Sequence, residues 1–150
     1  MEKNYDSLKL ERQLCFPMYA CAKEIVRRYA PLLEPLGLTY TQYLVMMVLW
    51  EKCSVNVKEL GKCLYLDSGT LTPLLKKLET KGYITRSRSA ADERQLIVTL
   101  TGRGEALREE AVCVPGKMGK CVDLSAEETA FLYRTLYKIL GQVGEPDTIS

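Results

Sequence analysis

The chain has 150 residues, of which 47% are hydrophobic, and a net charge of only +2. This suits one domain, or one domain with a dimer-forming extension, and excludes global disorder. Bulk charge does not point to nucleic acid, but its distribution does: Lys76 to Arg103 holds seven basic residues against three acidic ones, the footprint of a dedicated DNA face.

Met1 to Asp6 is polar, with no apolar signal core behind it. No apolar run approaches the roughly 20 residues that span a bilayer, so a cytoplasmic protein is expected. The six cysteines are Cys15, Cys21, Cys53, Cys63, Cys113 and Cys121. They contain no C-x-x-C pair, and the chain has no histidine, which argues against a metal site such as zinc; no cofactor is expected. In a reducing compartment they are not a disulfide framework. Most are read as small buried hydrophobes, with one or two left reactive.

The first expected element is a helical apolar stripe from Leu8 to Tyr29, through Leu10, Leu14, Met18, Ala22, Ile25 and Val26. Pro17 interrupts it, because proline lacks the N–H and crowds the carbonyl four residues back. The helix should kink there or restart, and a restart on Pro17 leaves Cys15 just outside a helix N-terminus. Pro31 to Leu38, with Pro35 and Gly37, reads as a short helix or turn. Thr39-x-x-Gln42 is a capping box for a helix from Tyr43 to Trp50, and Asn56-x-x-Glu59 caps the next, Val57 to Leu64. After a turn at Leu66 to Gly69, Asp67 or Ser68 caps a third helix, Thr70 to Lys81, with Leu71, Leu74, Leu75 and Leu78 on one face. Gly82 ends it in the position that favours a left-handed residue. Two extended segments follow, Tyr83 to Arg88 and Gln95 to Leu100, joined by a polar tip at Ser89 to Arg94. Thr101 caps a charged helix to about Val112, broken by Pro115, Gly116 and Gly119. Ser125-x-x-Glu128 caps the last helix, Ala126 to Leu140, with Phe131, Leu132, Thr135, Leu136, Ile139 and Leu140 as its apolar face.

Helix, turn, helix and then a basic hairpin predict a mainly α fold with a small β-hairpin wing, a winged helix-turn-helix. A helix fits the major groove, and a two-stranded wing reaches the neighbouring backbone or minor groove. Double-stranded DNA is therefore the expected partner. Ser68, Thr70 and Thr72 open the recognition helix, where short hydrogen-bonding side chains reach base edges. Lys76 and Lys77 suit phosphate contact, and Arg86, Arg88 and Arg94 sit on the wing. An arginine at a hairpin tip enters a narrow minor groove. Asp92 is placed to hold the Arg94 guanidinium, and Asp67 is grouped with the interface as the cap of its helix.

Leu66-Asp67-Ser68-Gly69-Thr70-Leu71-Thr72-Pro73-Leu74-Leu75-Lys76-Lys77-Leu78-Glu79, then Gly82-Tyr83-Ile84-Thr85-Arg86 and Asp92-Glu93-Arg94, resemble the MarR family of transcriptional regulators. Gln13-Leu14-Cys15-Phe16-Pro17-Met18-Tyr19 and Leu38-Thr39-Tyr40-Thr41-Gln42-Tyr43 resemble, more narrowly, its organic hydroperoxide resistance regulator branch, OhrR. The resemblance fails only at the last few residues. It implies a homodimeric repressor that binds a pseudo-palindromic operator. Residues 1–38 would be dimerisation helices carrying a sensor cysteine, 39–100 the DNA-binding lobe, and 101–150 C-terminal dimerisation helices. It implies that Cys15 is oxidised by organic hydroperoxide, that Tyr29 and Tyr40 hydrogen-bond its sulfur from across the dimer, and that Tyr19 lines the same pocket. In two-cysteine members a cysteine near the start of the C-terminal helix resolves the sulfenic acid; Cys121 is so placed, Cys113 is a second candidate, and a small external thiol is the third route. Cys21 should face elsewhere on its helix, and Cys53 and Cys63 are read as packing.

The chemistry agrees with the resemblance. A peroxide-reactive cysteine acts as thiolate. With no histidine to take its proton, a helix N-terminus and phenol donors remain to stabilise an anion. Three alternatives stay open: a MarR-type sensor of a small phenolic or other ligand, a thiol peroxidase, and an architectural DNA binder with no sensing role. A turnover enzyme has no need of a wing, so no enzyme activity is expected.

Overall fold

The computed structural model describes residues 1–144. Residues 145–150, the end of the expected C-terminal dimerisation segment, lie outside the described residues. Among the described residues, ten α-helices and strands follow two short 3-10 turns at Asp6–Leu8 and Leu10–Arg12. They are α1 (Cys15–Leu33), α2 (Tyr40–Lys52), β1 (Ser54–Asn56), α3 (Val57–Leu64), α4 (Ser68–Thr80), β2 (Ile84–Arg88), β3 (Leu96–Leu100), α5 (Gly102–Ala111), α6 (Val114–Gly119) and α7 (Ala126–Val143).

Proline chemistry sets the first helix. The stripe expected from Leu8 is not one helix: α1 begins at Cys15, and Pro17 is its third residue. The first turn of a helix has no partner for its N–H groups, so Pro17 costs nothing there, whereas a helix reaching further back would need that N–H. Cys15 is thus the first helical residue rather than a residue outside the helix. At the other end Pro31 does not terminate α1, which runs on to Leu33 before a 3-10 turn at Glu34–Leu36.

The caps behave largely as their side chains dictate. The Thr39 hydroxyl accepts from Gln42 N–H at 3.3 Å and Gln42 Oε1 accepts from Thr39 N–H at 3.1 Å, a complete capping box that starts α2 three residues earlier than its apolar run. Asn56 caps α3 alone, accepting from Lys58 N–H at 2.7 Å; Glu59 pairs with Lys52 at 3.2 Å instead of closing a box. Asp67, not Ser68, caps α4, accepting from Thr70 N–H at 2.7 Å. Ser125 and Glu128 close the box of α7. Gly82, at φ +82°, takes the left-handed turn after α4.

The wing carries a third strand that the alternation pattern does not reveal. β1 is three residues long and pairs antiparallel with β3 in the order β1-β3-β2, with Val55 opposite Val98 and Ile84 opposite Leu100. Buried side chains from α2 (Val45, Met46, Leu49), α3 (Leu60), α4 (Leu71, Leu75, Leu78) and the sheet (Ile84, Val98) make one core. Leu33, Leu107 and Val114 join that same core, so it reaches into both segments expected to serve dimerisation.

All six cysteines are exposed, which overturns the reading of most of them as buried packing residues. Cys63 is exposed although it lies one turn after buried Leu60 on α3, and Cys53 sits at the end of α2 with φ +63°.

The wing and α5 meet at Gly104. Trp50 Nε1 donates to the Gly104 carbonyl at 2.9 Å. A Cβ at Gly104 would run into the Tyr83 carbonyl oxygen and stand 2.7 Å from Leu100 Cδ1, while one at Gly102 would meet nothing within 4 Å. Gly104→Ala should therefore cost about 1–3 kcal/mol, as overpacking against backbone does. Gly102→Ala should be neutral or slightly stabilising. Thermal melts of the two variants side by side check this.

Candidate functional site

Two candidate sites emerge. The first is built on α3, α4 and the wing. The turn between the helices is tight because Tyr65 takes a left-handed conformation (φ +55°) and Gly61 admits Leu66 close by: a Cβ there would lie 2.7 Å from the Leu66 carbonyl oxygen. Asp67 then fixes the start of α4. Its carboxyl is held below the ordinary value by the Thr70 backbone N–H and then the Thr70 hydroxyl. Ser68, Thr70, Lys76 and Lys77 are exposed on α4. The Thr72 hydroxyl donates to the Ser68 carbonyl at 2.8 Å, so only its acceptor side is free.

The hairpin tip is an ordered turn. Ser89 N–H donates to Gln95 O at 2.8 Å and Gln95 N–H to Asp92 O at 3.0 Å. Asp92 Oδ1 accepts from the Arg94 backbone N–H at 3.0 Å. This corrects the expected role of Asp92: it holds the turn through the Arg94 main chain rather than through the guanidinium. Arg88 and Arg94 are exposed. A cleft of about 350 Å³ lies between α3, the start of α4 and the wing, and brings Ser68 and Arg94 into one wall with Asn56 and Gln95. Asn56 Nδ2 donates to Gln95 Oε1 at 2.9 Å and ties that wall together.

Arg86 differs from the other wing cations. Its guanidinium donates to Glu79 Oε1 at 3.1 Å and its N–H to Glu79 Oε2 at 3.1 Å, and its side chain is only 19% exposed. Hydrogen bonding to Arg86, reinforced by its charge, holds the Glu79 carboxyl below its ordinary value. Arg86 braces β2 against α4, a role that its place on an alternating strand conceals.

The second site comprises a thiol and a set of phenols that one chain keeps apart. Cys15 is exposed at the N-terminus of α1, with Tyr19, also exposed, one turn on. The Tyr29 and Tyr40 rings pack with centroids 4.7 Å apart, and Tyr43 joins at 5.9 Å from Tyr29. Burial, then the neighbouring Tyr29, pushes the Tyr40 phenol above its ordinary value. Its hydroxyl stays protonated and able to donate. Cys15 and Tyr29 lie on the same straight helix, fourteen residues and therefore roughly 21 Å apart. Within one chain they cannot meet. Cys113 and Cys121 flank α6, each with its thiol directed at a backbone carbonyl, 3.5 Å from Glu110 O and 3.8 Å from Lys117 O. Burial comes first, then Tyr29 and Tyr40, in raising the Tyr43 phenol, and Cys113 lies near enough to add to it.

The chain is similar to known regulators over most of its length. The family described as transcriptional regulator SarA/Rot matches residues 27–111. The organic hydroperoxide resistance transcriptional regulator of Bacillus subtilis is 47% identical over 140 residues, covering 93% of this chain and 95% of that protein. The chain belongs to the SarA/Rot family of MarR-type transcriptional regulators. Among solved structures, reduced AbfR bound to DNA, a protein of Staphylococcus epidermidis, superposes with a TM-score of 0.76 at 35% identity, covering 91% of this chain and 94% of that one. Overoxidised AbfR bound to DNA gives 0.74 at 36% identity, with 91% and 96% covered. Disulfide-formed AbfR gives 0.63 at 36% identity, with 90% and 95% covered.

As a MarR-type regulator the chain is a winged-helix DNA-binding protein and not an enzyme. Its cations should then divide by their partners. Arg94→Ala and Lys76→Ala should each lower the slope of log affinity against log salt by about one unit, as a lost phosphate contact does. Arg86→Ala should leave the slope unchanged. Binding titrations at several salt concentrations, on a duplex selected from a random pool with the wild-type regulator, measure this. Acid should loosen the α4–wing brace. With the folded Glu79 value below its unfolded one of about 4.3, its contribution is complete above that pH and is lost as pH falls through the folded value. Melts of Glu79→Gln should accordingly depend less on pH below about 5 than those of the wild type.

Proposed function

We propose that this regulator is a peroxide-sensing repressor that holds operator DNA as a reduced homodimer and releases it when Cys15 is oxidised by an organic hydroperoxide. The observation that carries the reading is the position of Cys15, exposed at the start of a helix whose apolar residues are largely uncovered. In α1 only Leu33 is buried. Leu14, Phe16, Tyr19, Ile25 and Val26 are exposed, and α7 buries no residue while presenting Phe131, Leu132, Leu136 and Tyr137. Helices gain their stability mainly by packing an apolar face, and an apolar surface of this extent marks an interaction site. The occupant is a second copy, because the Tyr29–Tyr40 pair that suits Cys15 is within reach only from another chain.

In that dimer Tyr29 and Tyr40 of one subunit donate to the Cys15 sulfur of the other, with Tyr19 alongside. The thiolate attacks the hydroperoxide; an S–O bond forms, the O–O bond breaks, and the departing alkoxide takes a proton from water and leaves as the alcohol, giving a sulfenic acid. A second thiol then attacks that sulfur, forming S–S and expelling water. The placement of Cys121 just before α7 supports it as the resolving thiol. A second reading assigns that role to Cys113, favoured by its proximity to Tyr43 in the tyrosine cluster. The output is a change in the spacing of the two α4 helices, which must match successive major grooves about 34 Å apart. The AbfR states support such a change: at nearly equal identity, this chain is closer in shape to the DNA-bound forms than to the disulfide form. Ser68, Thr70, Thr72, Lys76, Lys77, Arg88 and Arg94 supply the DNA contacts, and Asp67 and Asp92 hold those contacts in place.

Anisotropy on the selected duplex tests the reading. Reduced wild type should bind, and a stoichiometric organic hydroperoxide should release the DNA. Cys15→Ser should bind and not release. Cys121→Ser should fail to release without added thiol, and mass mapping of the oxidised wild type should find Cys15 linked to Cys121. Release by Cys15→Ser contradicts the sensing role; a Cys15–Cys113 link establishes the second reading. Peroxide consumed in large molar excess over protein would contradict a one-turn switch.

A further inference from the structure

The C-terminal end of the reading helix is anchored beside the tyrosine cluster. Lys81 directly follows α4, and its Nζ donates to the Gly37 carbonyl and to Gln42 Oε1 at 3.2 Å. Gln42 is only 3% exposed, the one buried polar side chain among the described residues. Its Oε1 already accepts the Thr39 N–H at 3.1 Å in the capping box of α2. Lys81 takes the remaining lone pair of this oxygen on a buried side chain. The contact is not a casual surface one. The ammonium lies near the N-terminal end of α2, where the helix dipole disfavours a cation, and the two oxygens hold it there.

Gln42 stands in the first turn of α2, between Tyr40 and Tyr43. That one turn therefore carries two of the clustered phenols and the anchor of α4. The 13-residue α4 is a rod of roughly 20 Å with the base-reading residues Ser68 and Thr70 at its far end. Hydrogen bonds to base edges tolerate only a few tenths of an ångström, so a small tilt at the Lys81 end breaks contacts at the Ser68 end. Two residues before Lys81, Glu79 ties the same end of α4 to the wing through Arg86.

We infer that Lys81 is a positioning residue for DNA binding: through Gly37 and Gln42 it sets the attitude of the reading helix from the turn that bears Tyr40 and Tyr43. This goes beyond phosphate contact, the role its charge alone suggests. Its part in redox release rests on the proposed function, whereas its part in reduced-state binding does not.

The test uses the full-length regulator and the selected duplex. Lys81→Met keeps the side-chain stem and loses the donors; Lys81→Arg keeps donors. Lys81→Met should weaken reduced-state binding about tenfold, ~1.4 kcal/mol, with an unchanged salt slope, and Lys81→Arg should recover most of it. Gln42→Glu retains both the capping box and a partner for Lys81, so alone it should change affinity less than about threefold; combined with Lys81→Met it should lose more than the two single effects together. After hydroperoxide, Lys81→Met should show a smaller ratio of reduced to oxidised affinity than the wild type. A slope lowered by about one unit would make Lys81 a phosphate contact. Unchanged affinity, or additive effects with Gln42→Glu, would make it a solvated lysine. Each of these overturns the inference. If the wild type itself fails to release DNA on oxidation, the sensing reading falls, and reduced-state affinity, slope and additivity still decide the role of Lys81.

Discussion

Pro17 has no N–H to donate, and its ring crowds the carbonyl of residue 13, so α1 starts at Cys15 and nowhere earlier. Much of the architecture follows from that start. The thiol stands exposed at the N-terminus of a straight helix, and Tyr29 stands near its other end, packed on Tyr40. A helix does not fold back on itself, so the fold separates a thiol from the phenols best suited to it. The apolar flanks of α1 and most of α7 are left uncovered in the same chain. In the proposed dimer a second copy would satisfy both conditions at once, and dimerisation and sensing would be one requirement rather than two.

The DNA face shows a comparable economy of charge. Seven cations lie between Lys76 and Arg103, but they are not equivalent. Lys76, Lys77, Arg88 and Arg94 are exposed and form no ion pair among the described residues. Arg86 is spent on Glu79 and Lys81 on Gly37 and Gln42. The committed pair braces the C-terminal end of α4 against the wing on one side and α2 on the other. Asp67 fixes the opposite end. The proposed reading helix α4 is thus held at both ends by contacts within the protein.

Local chemistry made much of this legible in the sequence. Thr39, Asp67, Thr101 and Ser125 announce their helices because a cap is a contact over three residues, and Gly82 announces the end of α4 for the same reason. The leucine spacing of α4 located its buried face. What escaped was decided by distant partners. β1 is too short to show alternation and exists because β3 offers it an edge. Glu79 and Arg86 are seven residues apart on different elements, and Lys81 meets Gln42 across 39 positions; no spacing rule links either pair. The exposed cysteines were misread because cysteine is usually a buried residue, and composition does not say which face of a helix it occupies. The proposal for Cys15 rests on its neighbours, Gln13-Leu14-Cys15-Phe16-Pro17, and not on the residue itself.

The central claim is that the sensing site is shared between subunits, and trans-complementation tests it most directly. A heterodimer would pair one subunit carrying Cys15→Ser with one carrying Tyr29→Phe and Tyr40→Phe. A site built across the dimer leaves one complete pocket in this heterodimer, with Cys15 of the tyrosine variant facing intact tyrosines. The rate of Cys15 sulfenic acid formation, followed with a dimedone-type probe, should then match the wild-type rate per thiol, while the Tyr29→Phe, Tyr40→Phe homodimer reacts slowly. A heterodimer as slow as that homodimer would contradict the account.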